Sequence, residues 1–105
     1  MKETSKTPVK IALDMTCGSW KAAILYELQG HTLRFSDLKK RVSGITQTML
    51  TRQLTQLEHD GLVKREVYHQ IPVKVEYSLT PSGEETRPIL EALHTWGENH
   101  LYGKK

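Results

Sequence analysis

A single cysteine, Cys17, stands in a chain of 105 residues. That excludes a disulfide within the chain and any zinc site built on several cysteines. No apolar run approaches the ~18 residues of a membrane span, and Met1–Lys10 lacks the apolar core of a secretory signal. A reduced, cytoplasmic setting with no membrane partner is the expectation. Catalytic motifs are equally scarce. The five histidines, His31, His59, His69, His94 and His100, include no HExxH pair, and His94 and His100 stand six apart rather than four. There is no GxSxG, no phosphate loop and no Gly-rich dinucleotide turn. No enzyme activity, metal or cofactor is expected. Repeats, low-complexity tracts and Gly-, Pro- or Ser-rich linkers are also missing, which leaves one domain at a size where a single core is usual. The expected boundaries are a tail at 1–7, a domain at 8–101 and a tail at 102–105.

What is present suits a folded domain: 37% of residues are hydrophobic and 26% charged. The apolar share is slightly low, so a second copy could complete part of the core. Net charge is +3, unevenly spread. Residues 1–33 hold four Lys/Arg against three Asp/Glu, 34–79 hold eight against five, and 80–105 hold three against four. The middle carries the excess, as a face turned toward a polyanion would.

Thr7-Pro8 forms a cap-plus-proline helix start, and Val9, Ala12, Leu13 and Thr16 follow at helical spacing, giving a short helix over 8–16. Gly18 breaks it and Ser19 is placed to cap a second helix, whose stripe is Trp20, Ile24, Leu25 and Leu28, ending at Gly30. A short extended piece at Thr32-Leu33 precedes a third helix with Phe35, Leu38 and Val42. Ser43-Gly44 interrupts it, and a fourth helix opens at Ile45-Thr46 with Met49, Leu50, Leu54 and Leu57, closing at Gly61. Two short helices joined by a glycine-containing turn make a helix-turn-helix candidate. Two segments alternating with period two, Leu62–Tyr68 and Val73–Leu79, joined by His69-Gln70-Ile71-Pro72, predict a β-hairpin. Thr80-Pro81 then opens a helical tract toward Leu101, which Pro88 should kink or restart. This order is that of an α+β winged helix-turn-helix.

The residues of these elements resemble the HxlR-type family of bacterial transcriptional regulators. The likeness runs through Ala12-Leu13-Asp14, Gly18–Lys21, Leu33-Arg34-Phe35, Gly44–Leu50, Asp60–Val63, Pro72–Thr80 and Gly83 through Trp96-Gly97. The Pro72–Thr80 and Gly44–Leu50 stretches are its most specific words. The resemblance implies a dimeric winged-helix DNA-binding protein that represses or activates nearby genes. Two departures stand out. Family members often carry a cysteine just before the Pro-Val of the first helix, where this chain has Thr7. Cys17 occupies a place that looks like a glycine in the common pattern. Redox or electrophile sensing is therefore not carried over by motif.

With the apolar stripe of the fourth helix turned inward, Gln47, Thr48, Thr51, Arg52 and Thr55 fall on the opposite side. They are short or forked polar side chains suited to base edges in a major groove. Thr46 can cap that helix or donate to a phosphate. Arg34 and Lys39, from the preceding helix, are candidate phosphate anchors. In the wing, His69, Gln70 and Lys74 are the candidate contacts, although Lys64 and Lys74 share a hairpin face with Glu66 and Glu76, so cross-strand ion pairing competes. Arg65 alternates with Val63 and Val67 and could be packed. Ile89, Leu93 and Trp96, with Leu90 and Leu101 nearby, join Val9 and Leu13 in a stripe that reads as a homodimer interface. The expected partners are therefore pseudo-palindromic operator DNA and a second copy. Two alternatives stay open: a regulator switched by an effector, through Cys17 or a pocket at the dimer interface, and a winged helix used for protein contacts.

Overall fold

The computed structural model describes residues 7–102. The tails expected at 1–7 and 102–105 lie outside the described residues except for Thr7 and Tyr102. The elements are α1 (Pro8–Thr16), α2 (Lys21–Leu28), α3 (Phe35–Arg41), α4 (Gln47–His59), β1 (Val63–Tyr68), β2 (Lys74–Leu79), α5 (Pro81–Glu84) and α6 (Arg87–Tyr102). Thr7 caps α1, its side-chain oxygen accepting the Lys10 backbone N–H at 3.2 Å, with Pro8 in the first turn.

Ser19 does not cap α2. Trp20 holds that position without a side-chain bond, and Ser19 takes the left-handed region at φ 49°. The chain turns tightly between α1 and α2, with the Lys21 N–H donating to the Gly18 carbonyl at 2.9 Å. Pro88 restarts the helix: α5 stops at Glu84, and Pro88 sits in the first turn of α6, where its missing N–H removes no intrahelical bond.

The core joins Ile24, Leu25 and Leu28 of α2, Leu38 of α3 and Leu50, Leu54 and Leu57 of α4. Leu62 and Val63 close it from the hairpin side, Leu33 and Tyr77 from the strand side, and Leu90 from α6. Strands β1 and β2 pair antiparallel from Val63↔Leu79 to Tyr68↔Lys74, and Leu33 bridges to Tyr77 at the hairpin base. Leu62 and Val73 fall just outside the paired strands. Leu62 instead donates its N–H to the Leu57 carbonyl at 3.0 Å, which closes α4 around Gly61 at φ 79°.

The same corner fixes α5. The Thr80 hydroxyl donates to the Gly61 carbonyl and accepts the Gly83 N–H at 3.0 Å. A Cβ on Gly83 would stand 2.1 Å from the Leu62 carbonyl oxygen, so no larger residue fits there without backbone movement.

The radius of gyration is 15.3 Å, above the ~13 Å of a compact chain of this length. The terminal helices account for part of the excess. Helix α1 buries only Thr16, and α6 only Leu90. Among the described residues no helix is long and apolar enough to cross a membrane.

Candidate nucleic-acid interface

Helix α3 ends at Arg41, and the turn to α4 is pinned at both sides by Val42 and Ile45, both buried, with Gly44 at φ 89° between them. Thr46 then caps α4: its hydroxyl oxygen accepts the Met49 N–H at 3.1 Å. Leu50, Leu54 and Leu57 turn inward, which leaves Gln47, Thr48, Thr51, Arg52 and Thr55 all exposed along one side. Gln56, at the margin of that face, is exposed as well. Arg52 carries no ion pair among the described residues, and the first acidic residue of α4 is Glu58 in its last turn. The Thr55 hydroxyl donates back to the Thr51 carbonyl at 2.9 Å, leaving its methyl and lone pairs outward.

One residue of α4 escapes the sequence pattern. Gln53 is buried, its amide donating to the Met49 sulfur at 3.4 Å while its Oε1 has no partner. Its place beside the Leu50–Leu54–Leu57 stripe is the only sequence signal, and polarity points the other way.

Arg34 and Lys39 are exposed at opposite ends of α3. Arg34 precedes its first turn, where the backbone N–H donates to the Asp37 carboxylate at 3.1 Å. Lys39, Lys40 and Arg41 crowd the last turn, a position that complements the helix dipole. Arg41 lies 3.7 Å from Glu27.

The wing presents a self-neutralised outer face. The register sets Glu66 directly opposite Glu76, a like-charge pair that would destabilise the hairpin alone. Cations therefore pair along each strand rather than across: Lys64 with Glu66 and Lys74 with Glu76, each at 3.6 Å. The Lys74 ammonium also lies 4.7 Å from the centre of the Tyr68 ring. Desolvation, then the charges of nearby Glu66 and Glu76, raises the pKa of the Tyr68 phenol above its usual value. His69 and Gln70 are exposed at the tip. Arg65, on the opposite hairpin face, is exposed too.

At the far side of the molecule Val9, Leu13, Ile89, Leu93 and Trp96 are 48–68% exposed. Trp96 stacks on His100 with ring centres 5.1 Å apart rather than covering the core. Leu90, grouped with this stripe in sequence, belongs to the core. Cys17 is half-buried, with its sulfur 3.5 Å from the Thr16 hydroxyl. Between α2, α6 and the end of α3 lies an open hollow of about 460 Å³, lined by Trp20, Tyr26, Leu93 and His94 among others. Tyr26 and His94 stack at 4.8 Å along it. Among the described residues no three His, Cys, Asp or Glu gather as metal ligands.

A family model described as HxlR-like helix-turn-helix matches residues 15–105. The chain belongs to this family. It is 46% identical over 93 residues to the HTH-type transcriptional regulator YybR of Bacillus subtilis, covering 89% of this chain and 74% of that one. The crystal structure of an HTH-type regulator, YtcD, superposes with a TM-score of 0.86 at 43% identity, covering 93% of this chain and all of that one. The redox regulator HypR in its oxidized form gives the same TM-score and identity, over 94% and 99% of the two chains. The HxlR family makes this chain a transcriptional regulator with a winged helix-turn-helix fold.

Proposed function

We propose that this regulator binds operator DNA as a homodimer in the cytoplasm, with α4 in the major groove and the wing on the flanking backbone or minor groove. The carrying observation is the exposed side of α4. Gln47, Thr48, Thr51, Arg52 and Thr55 line it with no carboxylate among them, where a merely wetted helix face would hold Glu and Lys pairs. Arg52 suits guanine O6 and N7, Gln47 suits adenine N6 and N7, and the threonine methyls suit thymine. Thr46, Arg34 and Lys39 hold phosphates and set register. In the wing, His69 and Gln70 at the tip, with Lys74, reach the flanking DNA.

The exposed apolar faces of α1 and α6 support the homodimer. A 9-residue helix with one buried residue is marginal by itself, and Val9 and Leu13 together with Ile89, Leu93 and Trp96 offer the surface that a two-fold partner would cover. A two-fold dimer reads two half-sites ~34–36 Å apart, or a multiple of that, so the operator is pseudo-palindromic. Selection of duplexes from a random pool on the purified protein tests this. Enrichment of inverted half-sites at that spacing is the expected outcome, and a pool that stays random contradicts it.

A second reading adds a signal to this function. The hollow lined by Trp20, Tyr26, Leu93 and His94 has the size and apolar lining of a small-molecule site. Cys17 is the other candidate input, in a chain that resembles a redox regulator. Operator affinity unchanged after alkylation, with Cys17 shown to be modified, rules out the thiol.

A further inference from the structure

The wing hairpin carries three cations, and only one is uncommitted. Lys64 and Lys74 each have a glutamate partner at 3.6 Å on the outer face. Arg65 stands on the other face, opposite Tyr77 in the register, with no ion pair or hydrogen bond among the described residues. Of the two states its alternation with Val63 and Val67 left open, packed or free, Arg65 takes the exposed one. It borders a hollow of about 400 Å³ whose other walls include Thr51, Thr55 and Glu58 of α4 and Phe35 of α3. Thr51 is one of the exposed residues of the reading face, and its hydroxyl has no partner among the described residues.

We propose that Arg65 is a phosphate-binding residue of the DNA interface, gripping with Thr51 a backbone phosphate at the edge of the stretch that α4 reads. This rests on the DNA-binding function proposed above. A planar guanidinium with five donors and no ion-paired carboxylate matches a phosphate's oxygens, and the Thr51 hydroxyl on the same hollow adds a donor. Glu58 lines the same hollow without an ion pair to Arg65, and its carboxylate opposes an anion there, so the phosphate is proposed on the side of Arg65 and Thr51. The consequence is a division within the wing. Arg65 supplies an ionic grip from β1, while the neighbouring Lys64 is held by Glu66 on the opposite hairpin face.

Salt dependence separates these roles, because each phosphate neutralised contributes ~0.9 to the slope of log affinity against log salt. On a duplex selected by the wild-type protein, Arg65→Gln is expected to flatten the slope by ~0.9 for each protomer bound, while Lys64→Gln, at the lysine paired along β1, leaves it unchanged. Arg65→Lys keeps the slope and loses affinity through the missing fork. A wild-type slope in Arg65→Gln overturns the proposal, as does a flattened slope in Lys64→Gln alone. A second measurement uses the unmutated protein and so does not depend on a variant folding. Phenylglyoxal labelling of Arg65, read by peptide mass, is expected to fall when the selected duplex is bound, and unchanged labelling refutes the contact. Failure of the underlying function looks different: the wild-type protein itself then shows no salt-dependent binding to any duplex.

Discussion

Helices α4 and α6 are both amphipathic, α4 burying Leu50, Leu54 and Leu57 and α6 only Leu90, and their exposed sides are opposites. Helix α4 shows water Gln47, Thr48, Thr51, Arg52 and Thr55. Helix α6 shows it Ile89, Leu93 and Trp96. The first face is stable when wet and gains specificity from a polar partner that matches its donors. The second loses apolar hydration when covered and so gains stability from burial, at ~25 cal/mol per Å². On the proposed function, one domain carries a surface for reading and a surface for pairing, and the pairing surface sets the spacing of two reading heads.

The largest way to break this comparison is to make the α6 face behave like the α4 face. Leu93→Glu with Trp96→Glu should give a monomer by light scattering and a loss of ~10²–10⁴-fold on paired half-sites, because the second head no longer binds intramolecularly. Next comes the buried side of α4. Leu57, fully buried, should cost ~2–5 kcal/mol as Leu57→Ala in chemical denaturation. The exposed side of α4 should respond differently: Arg52→Ala should keep stability and erase ~1–3 kcal/mol of preference between the operator and a site altered at one base pair. Equal losses on operator and scrambled DNA would contradict that role. At the helix start, Thr46→Ala should cost ~0.5–2 kcal/mol of folding stability, whereas Thr46→Asp keeps the cap and weakens DNA binding by repelling phosphate. The smallest effect belongs to Lys39→Ala, a uniform weakening on all sequences with a slope ~0.9 flatter per protomer.

The order of elements was legible because its signals are local. Thr7-Pro8 and Thr80-Pro81 start helices, Gly61 stops one, and the alternation of Val63–Tyr68 and Lys74–Leu79 marks the hairpin. The exposed side of α4 was legible for the same reason, since Leu50, Leu54 and Leu57 fix the helix rotation. What depends on register or on distant packing was not. The ion pairs of Lys64 and Lys74 run along their strands only because the register opposes Glu66 to Glu76. Arg65 alternates with apolar residues yet stays exposed, because its strand position borders a hollow against α4 rather than a filled core. Gln53 is buried by the neighbours of α4, which polarity alone could not foretell. Ser19 has the composition of a cap, but the turn between α1 and α2 places it in the left-handed region instead.

The central claim is that the α4 face reads DNA sequence. Fluorescence anisotropy of the purified protein on the DNA upstream of its own gene, beside a scrambled duplex and at two salt concentrations, tests it most directly. The account predicts tight binding to the native fragment alone, weakening by ~0.9 log units per log of salt for each phosphate contacted. Absence of binding to either duplex at low salt would contradict it and turn the Thr, Gln and Arg face of α4 into a surface for another protein.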